Sequence, residues 1–401
     1  MTHHKKGPLS GVRVLEFAGL APSPYAAMIL ADLGADVIRV DRPPTGDEIT
    51  MDPRVNLVNR GKRSIALDLR HDSSTSVVTE LIKNSDILIE GFRPGVMERL
   101  GFGPDQALAV NPKLVYGRMT GWGQDGPYKM AAGHDIAYVA VTGTLHAIGD
   151  EDPVIPLNLV GDFGGGGAFL TIGVLAALHE ARMTGTGQVV DAAMVDGAAS
   201  LATIIYSLLN ANRWEDRRSS NLLDGGTPFY SVYRTADDKH VAVGAIEPKF
   251  FAEFVAGLGV DIPLSAQYDK AGWTDMRARF AERIVQRTQA EWVDTFEGTD
   301  ACVSPVLSLK EAPTDPHVRA RGTLIETDGA IQPGIAPRFP AYNLVPPPPG
   351  SSPLPGAHTR EVLAELGIAD IDEFIASGAG TEPDSRASTS MSTTAESRSN
   401  D

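Results

Sequence analysis

The first half of this 401-residue chain predicts an α/β fold on a parallel sheet covered on both faces. Short apolar strands there alternate with helix-spaced segments in βαβ order. After Arg213 the pattern changes to strand-like alternation followed by helices, which predicts a second, smaller α+β domain. Prolines crowd residues 334–356, so that stretch should run extended along a surface.

Residues 12–17 read as the first strand and 22–33 as a helix ending at Gly34. Strands follow at 36–40, 86–89 and 114–119, with a helix at 73–83. A helix is expected from Asp135 to about Leu145, then a glycine run, a long apolar helix to Ala181, a strand at 188–192 and a helix to about Leu209. Ligands of such sheets gather at the carboxyl ends of the strands. In the second domain, 229–233 and 240–245 read as a hairpin, and 249–258, 273–287 and 289–297 as helices; 359–366 is the last helix. The expected divisions are a large domain at 1–210, a linker at 211–225 and a small domain at 226–325. A return segment at 326–375 packs on the large domain, and a disordered Ser/Thr-rich tail covers 376–401.

The net charge of −16 argues against a nucleic-acid or anionic-membrane partner for the whole surface. The single cysteine, Cys302, excludes an internal disulfide and suits a reducing compartment. The start of the chain has no apolar signal-peptide core, and the apolar run 168–178 is too short to span a bilayer. A soluble, cytoplasmic protein is expected.

Several chemistries drop out. The first strand leads into Ala18-Gly19-Leu20-Ala21, not G-x-G-x-x-G, and residues 121–126 lack the Lys-Ser/Thr of a P-loop. There is no G-x-S-x-G, H-E-x-x-H or C-x-x-C, and no residue set calls for a metal. Basic residues nonetheless gather where the strands should end: Arg39, Arg42, Arg60, Lys62, Arg63, Arg93 and Arg99. In an acidic chain this suggests a phosphorylated ligand, since guanidinium forks match phosphate oxygens; taken singly, each is as readily solvated surface charge.

Gly133-His134-Asp135 opens one helix, and Gly161-Asp162-Phe163 with four following glycines opens another. His134 reads as a helix-start histidine or a proton carrier, Asp162 as an N-cap or its partner. Four glycines weaken a helix, so close backbone approach must compensate. Gly164 and Gly165 amides at the helix start suit an enolate oxyanion. Glu247 is a surface residue or a support for His134. Met119, Met130 and Met194 are core filling or an adaptable acyl surface.

Residues 7–14, 33–40, 91–96 and 121–127 resemble the class III CoA-transferase superfamily (the CaiB/BaiF proteins). Gly133-His134-Asp135-Ile136, residues 158–166, Asp224-Gly225-Gly226, residues 245–248 and 300–303 resemble its α-methylacyl-CoA racemase branch. The likeness runs from about residue 7 to 345. It implies a Rossmann-like large domain, a small domain and an interlocked homodimer with its site between the large domain of one subunit and the small domain of the other. It further implies an acyl-CoA substrate with no added cofactor, and His134 and Asp162 as an acid/base pair. Glu247 would support His134, with Asp135 beside it. Arg42, Arg93 and Arg99 would hold the CoA phosphates, with Lys62 and Arg63 as weaker candidates. The implied reaction is racemisation of 2-methylacyl-CoA. The alternative is CoA transfer through a thioester on Asp162.

Overall fold

The computed structural model describes residues 7–43, 52 and 55–383. It divides into two compact units, one of Met1–Val139, Asn158–Leu201 and Pro316–Asp401, the other of Ala140–Leu157 and Ala202–Asp315.

In the first unit a parallel sheet is built from β1 (Arg13–Phe17), β2 (Asp36–Asp41), β3 (Arg63–Leu67), β4 (Ile87–Glu90), β5 (Val115–Thr120) and β6 (Val189–Ala193). Their spatial order is β3-β2-β1-β4-β5-β6, and the short strand Gly380–Thr381 adds antiparallel at the β3 edge. The order reverses at β1, whose neighbours are β2 and β4. Such a switch point opens a crevice beyond the strand ends. β4 is buried along its whole length, as a strand covered on both faces must be. On one face Val14, Val37 and Ile89 pack with Leu30 of the helix Pro22–Asp32 and Val174 of the helix Phe169–Thr184. On the other, Leu15, Ile38 and Leu88 pack with Leu81 of the helix Asp72–Lys83 and Leu363 of Thr359–Glu365.

The glycine run forms a π-helix, Leu159–Ala168, leading into Phe169–Thr184. Its wider turn lays glycine against other elements. A Cβ on Gly165 would lie 2.6 Å from the Ala198 nitrogen, and one on Gly167 would lie 2.8 Å from the Pro22 carbonyl. The helix Met194–Leu201 returns the fit, because Gly197 abuts the Gly165 backbone. Together Leu159–Thr184 is long and apolar enough, by length and composition, to cross a membrane, which the run 168–178 alone was not. Leu170, Val174, Ala177 and Leu178 are buried, and the helix packs on β5 and β6.

In the second unit Tyr230–Arg234, His240–Gly244 and Val303–Val306 form an antiparallel sheet in that order. Phe229, Phe251, Phe254, Phe280 and Trp292 fill its core. Residues 140–157 belong here because Tyr206 Oη donates to the Thr142 carbonyl at 2.6 Å and Arg218 Nη1 donates to the His146 carbonyl at 3.0 Å.

The expected strands and helices are present, with differences. β3 was missed because a polar Arg63-Ser64 start leaves only three apolar residues. The hairpin Leu324–Thr327/Ala330–Pro333 was also missed, although Asp328 and Gly329 carry the positive φ pair (+51° and +75°) of a tight turn. Gly143, at φ +75°, follows the helix Asp135–Val141 and shortens it, and Ala202 divides the helix expected to about Leu209 into Met194–Leu201 of the first unit and Thr203–Asn210 of the second. The tail begins later than expected, since Gly380–Thr381 pairs with β3; residues 384–401 lie outside the described residues.

Gly165→Ala should destabilise the first unit by about 1–3 kcal/mol through backbone overpacking. Urea unfolding measures this, and an unchanged midpoint would refute the close-approach account.

Candidate active site

A cleft of about 1370 Å³ lies over the carboxyl ends of the first unit's strands. Residues 18–23 after β1, 91–94 after β4, 119–122 at the end of β5, His134, Tyr138 and Asp162 all line it. The two halves of the sequence-predicted acid/base pair, 28 positions apart by subtraction of their numbers, thus share one cavity.

His134 is exposed and immediately precedes the helix Asp135–Val141, its carbonyl accepting the Ala137 N–H at 2.8 Å. It is therefore a helix-start residue and a cleft residue at once. The ring of Tyr138 covers Gly133, where a Cβ would lie 2.7 Å from the ring, and stacks edge-on to Trp122 at 4.8 Å. Asp162 is half-buried near the start of the π-helix, and Asn158 Nδ2 donates to its Oδ2 at 3.1 Å.

Asp135 joins the two. Its buried carboxylate accepts the Asp162 backbone N–H on Oδ1 at 2.6 Å, so the residue next to His134 holds the backbone of its partner. Gly161 leaves room, because a Cβ there would strike that carboxylate. Burial raises the Asp162 pKa above the ordinary aspartate value. The Asn158 hydrogen bond opposes this, the Asp135 charge adds to it, and His134 opposes it.

The cations sort cleanly. Arg42 and Arg93 are exposed, line the cleft and make no ion pair among the described residues. Arg99 is exposed at the end of the helix Val96–Arg99, outside the lining. Lys62 does not reach the cleft: it is wholly buried, bonded to Glu16 Oε2 at 2.7 Å and to the Pro24 carbonyl at 3.0 Å. Arg63 is likewise engaged, by Asp36 at 2.7 Å and by Glu361 and Glu365. Arg60 is held by Asp32, and Arg39, though in the lining, by Glu16 and Asp41. Gly164 and Gly165 do not take the oxyanion-holding place expected of them. They pack against Leu201 and Gly197 and are not lining residues, because the glycines serve helix packing. Met119 and Met194 line the cleft, but Met130 does not. Glu247 lies in the second unit, exposed, just before the helix Pro248–Leu258.

Sequence reasoning missed Lys129, Tyr138, Ser23 and Trp122, all of which line the cleft. Their signal was only position near strand ends. Ser23 Oγ and Trp122 Nε1 are buried with no hydrogen-bond partner among the described residues. Arg42, Arg93 and Lys129, without an ion pair among the described residues, fit an anionic ligand.

The family model of CoA-transferase family III matches residues 9–359. An α-methylacyl-CoA racemase of Mus musculus is 45% identical over 366 residues, spanning 90% of this chain and 94% of that protein. An acetyl-CoA:oxalate CoA-transferase of Acetobacter aceti is 30% identical over 357 residues, spanning 84% and 90%. The crystal structure of a CaiB/BaiF family protein from Brucella suis matches with a TM-score of 0.74 at 26% identity, covering 90% of this chain and 99% of that one.

Asp135→Asn removes a negative charge beside Asp162 while keeping an acceptor oxygen. The Asp162 carboxyl should then titrate at lower pH than in the wild type, read from its carbon chemical shift. An unchanged or higher midpoint would contradict the electrostatic account.

Proposed function

This chain belongs to CoA-transferase family III, and we propose that it interconverts (2R)- and (2S)-2-methylacyl-CoA thioesters. The observation that carries the reading is His134 and Asp162 on one cleft, tied together through Asp135.

The carbon beside a thioester carbonyl bears an acidified proton. Inversion needs a base on one face to remove it and an acid on the other to return one, through a planar enolate. Two groups in opposite protonation states suffice. Neutral His134 with protonated Asp162 takes one enantiomer, and the imidazolium with the Asp162 carboxylate takes the other. The raised Asp162 pKa supports this, because it brings the proton-holding form closer to working pH. Arg42, Arg93 and Lys129 meet the phosphates in this reading, which their position in the cleft lining supports, and Arg99 follows Arg93 in sequence. Met119 and Met194 offer the acyl chain an adaptable wall. CoA is part of the substrate, and no cofactor is invoked. Glu247 is proposed to steady the His134 imidazolium, on the strength of the resemblance alone. Transfer of CoA through Asp162 would leave His134 without a task.

We also propose a homodimer as the working form. The helix Thr203–Asn210 has no buried residue, and Ile204, Tyr206 and Leu209 lie exposed on it, a face that a second copy would cover.

In deuterium oxide, one enantiomer of a 2-methylacyl-CoA should gain α-deuterium and lose chirality, with no CoA passing to an added carboxylic acid. His134→Ala and Asp162→Ala should each lower the rate by about 10²–10⁴. CoA transfer with the α-proton retained would overturn the racemase reading. Light scattering should give twice the 42.6 kDa chain mass, and a monomer that turns over would refute the dimer.

A further inference from the structure

Arg118 lies on β5 opposite Glu90 of β4, buried and outside the cleft lining. Its Nε donates to Glu90 Oε1 at 2.9 Å. Its Nη1 and Nη2 donate to the two Glu98 carboxylate oxygens at 2.8 and 3.3 Å, a two-pronged bond. Glu90 uses its other oxygen, Oε2, to accept the Phe92 N–H at 2.7 Å. Through these bonds one guanidinium grips two successive segments. Glu90 fixes the start of the loop 91–94, which carries Arg93 into the cleft. Glu98 fixes the helix Val96–Arg99, which ends in Arg99. Gly95, at φ +83°, makes the turn between them, and the Arg99 N–H closes on the Gly95 carbonyl at 3.2 Å.

We propose that Arg118 is a positioning residue for the anion-binding arginines: it sets Arg93 and Arg99 at a fixed spacing for the phosphates of the CoA ester without touching the ligand. This rests on the acyl-CoA reading of the cleft. The physical ground is preorganisation. A long exposed side chain on an unheld loop loses loop and rotamer entropy when it binds, whereas a loop already held loses less. A planar fork can hold one carboxylate by two parallel bonds while its Nε reaches a second; lysine, a point charge, does not offer that fixed geometry. Burial pushes the Glu90 carboxyl up to about 7, against the Phe92 N–H and Arg118. Without Arg118 the Glu90 carboxyl is pushed higher still and holds Phe92 more weakly, since hydrogen bonds to an ionised acceptor are the stronger kind. The buried Arg118–Glu90 pair is a poor source of stability compared with apolar packing, so its geometry is the feature that needs a purpose.

The test is calorimetric binding of free CoA to the full-length protein, alongside kcat for α-proton exchange at saturating thioester. Arg118→Gln should raise the CoA dissociation constant about tenfold, equivalent to about 1.4 kcal/mol, while kcat falls far less. An unchanged dissociation constant, or a kcat that falls as steeply as affinity, overturns the proposal. If Arg118→Gln does not fold, Glu98→Gln serves, because that side chain is 40% exposed and only one arm is lost. It should weaken CoA by roughly threefold, about half the effect in free-energy terms, and an unchanged affinity overturns the proposal equally. A wild-type protein that does not bind CoA sinks the proposed function and this inference with it. A wild type that binds CoA while the variants bind as well sinks this inference alone.

Discussion

Two carboxylates buried under the carboxyl ends of the parallel strands organise the first unit. Glu16 of β1 and Glu90 of β4 are both fully buried. Glu16 pairs in register with Ile89, so the two side chains point to opposite faces of the sheet. Removing a carboxylate from water costs several kcal/mol unless a cation meets it with good geometry. Lys62 and Arg39 meet Glu16, and Arg118 meets Glu90. Burial is the largest influence on Lys62 and lowers its pKa to about 8 despite Glu16, which fits a structural ammonium rather than a ligand-facing one.

That demand decides which basic residues remain for a ligand. The sheet consumes Lys62, Arg63 and much of Arg39, and Arg60 is spent on Asp32. Arg42, Arg93 and Lys129 are left at the rim of the cleft. The protein as a whole is acidic, so the local surplus of cations is what makes an anionic ligand favourable there.

The glycine run illustrates a second constraint. Packing the π-helix on Pro22–Asp32 and Met194–Leu201 at backbone distance leaves no space for side chains at Gly165 and Gly167. The same close packing carries Asp162 to the cleft and lets the Asp135 carboxylate reach its N–H over Gly161. Helix packing and placement of His134 and Asp162 on one cleft are thus one arrangement, and half-burial of Asp162 follows from it, with its raised pKa.

Periodicity was enough to specify most of the alternating strands and helices of the parallel sheet, because local side-chain spacing encodes which face is buried; β3, with three apolar residues, escaped it. The Gly-His-Asp and Gly-Asp-Phe signals marked His134 and Asp162, since glycine beside a polar residue is a local backbone feature. The tertiary structure alone decided that these segments meet, that Asp135 binds the Asp162 backbone, and that Tyr138, Trp122, Ser23 and Lys129 complete the wall. It also decided that Lys62, Arg63, Gly164 and Gly165 serve packing and charge balance. A residue's type states what it can bond to, but which partner it reaches depends on contacts far apart in the chain, such as Lys62 with Glu16 or Arg63 with Glu365.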